Sequence, residues 1–298
     1  MNRPGVLVVG AANLDRMAYL ERLPEVGATL IAERYEEHPG GKGSNQAVAA
    51  ALWGAPTWFV GRVGPDEPGA KMREAMSAAG VRLEYLREDP QGTGLALDFV
   101  DASGQYQAVV ALRANANLSP QDLPDDPELW AQVGMLVLQL ESPLEAIEAA
   151  GLRAARHGVP VLLNAAPIQP IPESWWSWIT TLVLNETEAS ELSGVRVESE
   201  ESARQALQAL TGRGPSVILT LGATGVLACQ QQQVLRLPGI SVEVVSTLGA
   251  GDAFVGVFAA EWTQHGNFQQ ALAQANRAAA ASVRRSGAQV SYIRPSDL

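Results

Sequence analysis

The stretch MLVLQLESPLEAIEAAGLRAARHGVPVLL, residues 135–163, decides the fold class of this 298-residue chain. It begins with an apolar run at 135–138, continues as an alanine-rich helical segment at 142–157, and ends in a second apolar run at 161–163. Short continuous apolar runs are typical of strands that are covered on both faces of a parallel sheet. The stretch therefore predicts one strand–helix–strand unit.

The same alternation extends in both directions along the chain. Further strand-like runs lie at 6–9, 58–61, 182–184 and 217–219, and further helical segments at 44–52, 67–79, 186–192, 199–210, 250–264 and 268–285. Such alternation predicts an α/β fold with an open, mostly parallel central sheet and helices on both faces. Ligands of such sheets bind beyond the carboxyl ends of the strands.

Two segments, at about 16–38 and 93–113, break this rhythm with strand-like alternation and no helix between their strands. They predict a small additional β-sheet that serves as a lid or as an oligomer contact. We expect residues 1–298 to form one domain with this lid attached.

The formal net charge of −11 argues against a nucleic-acid partner, because duplex binding requires many cations on one face. A nucleotide stays possible, since helix N-termini and a metal ion can hold its phosphates. No apolar run reaches the roughly 18 residues of a membrane span, and the N-terminus does not resemble a signal peptide. We expect a cytoplasmic protein without a membrane partner. The single cysteine, Cys229, excludes an intramolecular disulfide.

The segment TLGAGDAF, residues 247–254, carries the strongest chemical signal. Gly249, Ala250 and Gly251 precede a helix, so that successive backbone N–H groups can converge on an anion. Asp252 in the first turn would then face the same anion and could act as a base. An aspartate at this position can equally cap the helix and complement its dipole, and the local sequence leaves both alternatives open.

A second glycine-rich segment, PGGKGSNQ at residues 39–46, also leads into a helix. It lacks the spacing of a Walker phosphate-binding loop, so that interpretation fails. Gly41 could admit a small polyol, and Lys42 and Asn45 could donate hydrogen bonds to its hydroxyls. A turn with a solvated lysine is the alternative.

Polar residues follow several predicted strands. Asn13 and Asp15 come after the first strand and could bind a pair of hydroxyls, although an Asx-turn would also use them. Glu141 follows the strand at 135–140 and could bind substrate or cap the next helix. Asn185 and Glu188 follow another strand, and an acidic group there, such as Glu188, could hold magnesium through water. Thr220, Gly222 and Gly225 follow a further strand, and the glycines could let a nucleotide pass close to the backbone.

Two segments resemble the two signatures of the ribokinase-like, or phosphofructokinase-B-type, carbohydrate kinases. They are GGKGSNQA at 40–47, with its continuation to residue 64, and residues 246–256. Both signatures are long and specific, and the resemblance covers essentially the whole chain. Within the family, residues 13–15, 139–145 and 286–289 are most similar to the ribose-phosphorylating members.

The resemblance implies Mg²⁺-dependent transfer of the γ-phosphoryl group of ATP to the O5 hydroxyl of ribose, which yields D-ribose 5-phosphate. The implied sugar-binding positions are Asn13, Asp15, Gly41, Lys42, Asn45, Glu141 and Asp252. The implied nucleotide-binding positions are Asn185, Thr220, Gly222, Gly225 and Asn276, with Glu188 associated with magnesium through water. Asp252 falls on the catalytic base, and Gly249, Ala250 and Gly251 fall on the anion hole.

The resemblance further implies a homodimer formed through the lid and an activating potassium ion. The potassium positions, which contribute mainly backbone carbonyls, are Ser246, Leu248, Ser282, Arg285, Gly287 and Ser291. The ribose-phosphorylating members usually have aspartate where this chain has Ser246. Because the lost carboxylate is expected to weaken cation binding, both potassium-dependent and potassium-independent activity stay open.

Three alternatives follow from the residues and the fold class. The nearest is a kinase of the same family that acts on fructose, 2-keto-3-deoxygluconate or a nucleoside. A non-catalytic sugar- or nucleotide-binding protein is possible, because a fold alone does not define an activity. A dinucleotide-dependent dehydrogenase is excluded, since no G-x-G-x-x-G follows the first strand.

Overall fold

Strands and helices alternate along most of the computed structural model, which describes residues 4–102 and 106–298. The strands are β1 (Gly5–Val9), β2 (Asn13–Leu20), β3 (Arg34–Gly40), β4 (Thr57–Val63), β5 (Leu86–Glu88), β6 (Gly94–Asp101), β7 (Tyr106–Ala111), β8 (Val133–Gln139), β9 (Val161–Asn164), β10 (Thr181–Leu184), β11 (Ser216–Thr220), β12 (Gly225–Gln230) and β13 (Gln233–Pro238). The α-helices are α1 (Lys42–Leu52), α2 (Glu67–Ala78), α3 (Pro127–Gln132), α4 (Leu144–Arg156), α5 (Glu186–Ser193), α6 (Glu200–Thr211), α7 (Ala250–His265) and α8 (Phe268–Ser282).

The central sheet has the strand order β13–β12–β11–β10–β9–β8–β1–β4–β5. Its strands from β11 to β5 pair in parallel, whereas β12 and β13 form an antiparallel hairpin at one edge. A mostly parallel sheet is what the strand–helix alternation predicts, and this prediction is confirmed.

Alternate side chains of the central strands enter two separate cores. Val6 and Val8 of β1 pack into the core that contains Phe258 of α7. Leu7 and Val9 of the same strand enter the core on the opposite face, with Ile147 of α4. Because successive side chains of a strand point to opposite faces, these two cores confirm that helices cover both sides of the sheet.

A separate small sheet has the order β3–β2–β6–β7. Strands β2 and β6 are parallel, and the two outer pairs are antiparallel. This sheet is the predicted lid; residues 103–105 of the expected segment lie outside the described residues. It starts at Asn13, which pairs with both Gly40 and Gly94. Asn13 and Asp15 are thus in extended strand, and the Asx-turn alternative is wrong.

Some helix ends differ from the sequence predictions for identifiable reasons. Helix α1 begins at Lys42, two residues before the predicted start, because Gly41 with φ 88° provides the left-handed turn that precedes it. Helix α4 begins at Leu144, since Ser142 precedes Pro143 and is disfavoured in the helical conformation. Among the described residues, no helix has both the length and the apolar character needed to cross a membrane.

Candidate active site

The N-terminus of α7 is held open by glycine. Gly249 adopts φ 74°, and a Cβ atom there would lie 2.7 Å from the hydroxyl of Tyr292. That hydroxyl donates a 2.9 Å hydrogen bond to the carbonyl oxygen of Gly249 and so fixes the turn. A Cβ atom on Gly251 would meet no atom within 4 Å. The first turn of α7 is therefore accessible from outside, as an anion-binding helix N-terminus requires.

Asp252 is buried, with 7% of its surface exposed, and both of its carboxylate oxygens accept hydrogen bonds from α1. Asn45 donates from Nδ2 to Oδ2 at 2.9 Å, and Gln46 donates from Nε2 to Oδ1 at 2.8 Å. The two helices pack closely because Gly256 lies against Gln46, where a Cβ atom would be 2.4 Å from the backbone oxygen. The N-terminus of α7 has no side-chain cap, so this carboxylate does not cap its own helix.

A buried amide network orients the two donors. Besides the carboxylate, Gln46 donates to Oδ1 of Asn164 at 3.0 Å, and its own Oε1 accepts from Gln139 at 2.7 Å. Gln289 donates to Oδ1 of Asn45 at 3.0 Å. In Asn45 and Gln46, the amide oxygen accepts a hydrogen bond and the amide nitrogen donates one, so the orientation of both side chains is defined. The carboxylate of Asp252 is thereby held in one position.

Two cavities meet at this carboxylate. The first has a volume of about 860 Å³ and the second about 810 Å³. Both are lined by Lys42, Asp98, Leu248, Gly249 and Asp252. The first contains every predicted sugar-binding residue, namely Asn13, Asp15, Gly41, Lys42, Asn45, Glu141 and Asp252. The second contains the predicted residues Asn185, Glu188, Thr220, Ser246, Leu248, Gly249, Gly251 and Asp252.

Two polar side chains of the first cavity are fixed by neighbours. Asn115 donates to Oδ1 of Asn13 at 2.7 Å, which orients the Asn13 amide. Oε2 of Glu141 accepts from the backbone N–H of Lys42 at 2.9 Å. Glu141 was expected either to bind substrate or to cap the helix that follows it. The structure shows that it satisfies the first N–H of α1, beside Lys42, and that α4 has no side-chain cap. The capping alternative is therefore wrong, and substrate binding by Glu141 stays a prediction.

The first cavity is rich in buried carboxylates. Burial raises the pKa of Asp15 well above its ordinary value, and the nearby carboxylates of Asp98, Glu141 and Asp252 raise it further, against the opposing effect of Lys42. Burial also raises the pKa of Glu141 and of Asp98. Burial removes water from these carboxylates, so a ligand that donates hydrogen bonds would replace the lost hydration.

The second cavity contains the predicted magnesium-associated residue. Glu188 and Asn185 form a capping box at the start of α5, with both carboxylate oxygens accepting from Asn185. Burial raises the pKa of Glu188, while Lys42 and the Asn185 N–H lower it. No group of three or more Asp, Glu, His or Cys residues within the described ranges is arranged to hold a metal. Glu188 therefore fits a role beyond the inner coordination sphere, through water, with a Mg²⁺ ion carried by phosphates.

Three predicted nucleotide-binding residues lie elsewhere. Gly222, Gly225 and Asn276 are not among the described lining residues of either cavity. Asn276 donates to the carbonyl oxygen of Pro238 at 3.0 Å, and Gly225 begins β12 with φ 105°. Their assignment stays a prediction.

The predicted potassium positions are only partly assembled. Ser246 accepts from the N–H of Leu248 at 3.3 Å and donates its own N–H to the carbonyl of Val283 at 3.1 Å, which places residues 246–248 beside the end of α8. The hydroxyls of Ser282 and Ser291 donate to backbone carbonyls of their own segments. None of the six predicted positions, which include Arg285 and Gly287, carries a carboxylate, so a potassium ion there would depend on backbone carbonyls and hydroxyls. The potassium assignment stays a prediction.

Comparison with known proteins identifies the class. Residues 3–294 match the pfkB family carbohydrate kinases. The ribokinase of Haemophilus influenzae is 35% identical over 291 residues, covering 97% of this chain and 95% of that protein. The deoxyribokinase of Salmonella typhimurium is 34% identical over 290 residues, covering 96% and 95%. The structure of Arabidopsis thaliana ribokinase with ribose and ATP superimposes with a TM-score of 0.90 at 33% identity, covering 99% of this chain and 96% of that one.

The chain therefore belongs to the pfkB family of carbohydrate kinases. This finding confirms the family and the class of enzyme, an ATP-dependent sugar kinase, that the two signature segments predict.

Several site residues gave no signal in the sequence. Gln46 lies in a recognised segment, but its partners Gln139 and Asn164 are far from it along the chain. Gln289 is equally far from its own partner, Asn45. Asp98 lies inside a lid strand and lines both cavities. In the sequence, Asp98 stands out only because it is acidic and lies on the strand face opposite to Leu95, Leu97 and Phe99, within an otherwise apolar pattern.

Proposed function

We propose that this protein phosphorylates D-ribose at O5 with ATP, with Asp252 as the general base. The observation that carries the proposal is that Asp252 lies where the sugar-side and nucleotide-side cavities meet. A base at that junction can reach the attacking hydroxyl from one cavity and the γ-phosphoryl group from the other. The open N-terminus of α7 beside it supports the same assignment.

In the proposed reaction, the carboxylate of Asp252 accepts the proton of the O5 hydroxyl as that oxygen attacks the γ-phosphorus in line. The backbone N–H groups of the first turn of α7, around Ala250 and Gly251, would stabilise the charge that develops on the transferred phosphoryl group. Asn45 and Gln46 keep the base in place, because both donate to its oxygens. A bound Mg²⁺ would neutralise phosphate charge, with Glu188 as its water-mediated contact.

The charge of the first cavity favours an uncharged sugar. Asp15, Asp98, Glu141 and Asp252 line it, and Lys42 is the basic residue among its described lining residues. Carboxylates at this density repel an anionic substrate and accept hydrogen bonds from hydroxyls. Ribose suits such a cavity better than the anionic 2-keto-3-deoxygluconate.

Phosphorylation of 2-deoxy-D-ribose is a second candidate. The relative named deoxyribokinase is 34% identical to this chain, almost the same as the 35% of the relative named ribokinase. The two substrates differ by one hydroxyl, which Asp15 or Asn13 could bind. A site that hydrogen-bonds this hydroxyl discriminates strongly against the sugar that lacks it.

We also propose a homodimer formed through the outer face of the small sheet. The alternation of β6 and β7 places Leu97 and Val109 opposite each other on this face, and they are 41% and 61% exposed. Tyr35 of β3, 56% exposed, adds to the same apolar surface. Since ATP is the proposed donor, we expect the enzyme to act in the cytoplasm.

A sugar panel tests the proposed function. Purified protein is assayed with ATP and Mg²⁺ on D-ribose, 2-deoxy-D-ribose, D-fructose, 2-keto-3-deoxygluconate and a nucleoside, each with and without potassium. We expect the highest kcat/KM for D-ribose and a small effect of potassium, because Ser246 replaces a carboxylate. Preference for another sugar by tenfold or more would replace ribose as the substrate, and turnover of none would contradict the kinase assignment.

A further inference from the structure

Asp98 occupies an unusual place in the lid. It lies in the middle of β6, where it pairs with Met17 of β2 and Ala108 of β7. Its side chain lines both cavities, whereas its strand neighbours Leu97 and Phe99 belong to the opposite face. The lid therefore directs one acidic side chain toward the space between it and the central sheet.

This carboxylate is buried without a protein partner. Asp98 is 6% exposed, and it makes no hydrogen bond or ion pair with any residue in the described ranges. A buried carboxylate that lacks a partner is destabilising, because burial removes its hydration without replacement. Structural carboxylates elsewhere in this protein are paired: Asp89 and Asp122 both bind Arg62.

Asp15 shows the same combination of properties on the neighbouring strand. It is 7% exposed, lines the first cavity, and likewise has no hydrogen-bond partner among the described residues. In the parallel register of β2 and β6, Asp15 lies opposite Ala96, so Asp98 is its diagonal neighbour on the same face. Two unpartnered carboxylates thus face one cavity side by side.

We propose that Asp98 is a substrate-binding and specificity-determining residue, which together with Asp15 accepts hydrogen bonds from hydroxyls on the lid-facing side of the sugar. Sugar hydroxyls supply the donors that both carboxylates lack. A metal ion is the less suitable occupant, since no metal-binding group of three acids or histidines occurs in the described part of the chain. The lid thereby contributes to recognition of the sugar as well as covering it.

The charge of Asp98 also sets the class of substrate. With this carboxylate on the lid and Glu141 on the opposite side, acidic groups face the sugar from both sides of the first cavity. An uncharged, hydroxyl-rich sugar is accepted, and one that carries a carboxylate or phosphate is repelled. This inference rests on the proposed sugar kinase function and assigns selectivity within it.

Two substitutions of Asp98 separate the effect of its hydrogen bonding from the effect of its charge. Asp98→Leu removes the acceptor at similar volume, among apolar neighbours such as Val100 and Val110. We expect it to raise the KM and the calorimetric dissociation constant for the best sugar of the panel by about tenfold or more, as for loss of a hydrogen bond to a charged group. The KM for ATP should stay within about twofold. Asp98→Asn keeps the shape but removes the charge. It should raise kcat/KM for 2-keto-3-deoxygluconate by about tenfold relative to kcat/KM for the best sugar of the panel.

Asp101→Asn serves as the matched control, because Asp101 lies on the same strand but is not a described lining residue of either cavity. The thermal transition of each variant shows that it is folded. Unchanged sugar KM and unchanged selectivity in both folded Asp98 variants would overturn the inference. A parent protein that binds sugars without phosphorylating them would contradict the proposed function alone, since calorimetry still measures the effect of Asp98.

Discussion

Nε2 of Gln46 donates a 2.8 Å hydrogen bond to Oδ1 of Asp252, across 206 positions of the chain. The bond joins the two glycine-rich signature segments, one at the start of α1 and the other at the start of α7. It also links the proposed base to the buried amides of Gln139 and Asn164. The position of Asp252 therefore depends on Gln46, which is not among the described lining residues of either cavity.

Gln46→Glu tests that dependence. The substitution keeps the shape but replaces the donor to Oδ1 with a second carboxylate, which repels Asp252 from its present position. We expect kcat to fall by about tenfold or more, with the KM for sugar and the KM for ATP within about threefold. Gln208→Glu, on the exposed face of α6, is the control with the same chemical change. A parent-like kcat in a folded Gln46→Glu protein would remove Gln46 from this role.

Substitutions of Asn13 and Glu141 should weaken binding of the sugar and not of the nucleotide, because both residues line the first cavity and neither is a described lining residue of the second. We expect Asn13→Ala and Glu141→Ala each to raise the KM for sugar by about ten- to a hundredfold, with the KM for ATP within about threefold. Thr220→Val, in the second cavity, should show the reverse pattern. Equal effects on both substrates in steady-state kinetics would place Asn13 and Glu141 outside the sugar site.

The unpartnered acids should reduce stability near neutral pH. Burial raises the pKa of Asp15 and Asp98 in the folded protein, so the folded state holds their protons more tightly than the unfolded state does. Stability is then lost as pH rises from about 4, where the free acids ionise, through their raised folded pKa values. We expect Asp15→Asn and Asp98→Asn to raise Tm by a few degrees at about pH 7.5, and by less at about pH 4.5. Scanning calorimetry that shows a lower Tm at neutral pH would contradict this expectation.

If the protein dimerises through the lid, a charge introduced on the outer face of the small sheet should prevent association of the two chains. Val109→Asp places a carboxylate in the middle of the exposed apolar face of the small sheet. Because desolvating that charge opposes association, sedimentation should show two chains for the parent protein and one for the variant. Val234→Asp, at the exposed β13 edge, should leave the association state unchanged. A monomeric parent protein would refute the dimer.

Regular periodicity made the central fold predictable. The apolar runs that became β8, β9 and β10 are short and continuous. Helix α4, between β8 and β9, has amphipathic spacing, with Ala146, Ile147, Ala150 and Ala154 buried. Helix ends were less predictable, because they depend on single backbone features such as Gly41 and Pro143. Every predicted sugar-binding residue lines one cavity, since parallel strands and their following turns converge at one edge of the sheet.

The remaining site residues depend on tertiary register. Asp98 enters the cavity only because β6 pairs with β2 in a particular register, which the strand sequence does not specify. Gln289 reaches Asn45 from the far end of the chain. The sequence marks Asp98 only as an acidic residue in an apolar strand and Gln289 only through the family resemblance of residues 286–289. Their contacts in the site become visible only when the strands and helices are assembled.

The central claim is that Asp252 removes the proton from the sugar hydroxyl, and Asp252→Asn tests it most directly. The asparagine keeps the size of the side chain but cannot accept the proton. Single-turnover rates and sugar and ATP affinities are measured for the variant and the parent protein. We predict a kcat that is lower by about 10² to 10⁴, the usual contribution of a general base, with both affinities within about threefold. Near-normal turnover by Asp252→Asn would contradict the assignment of Asp252 as the base.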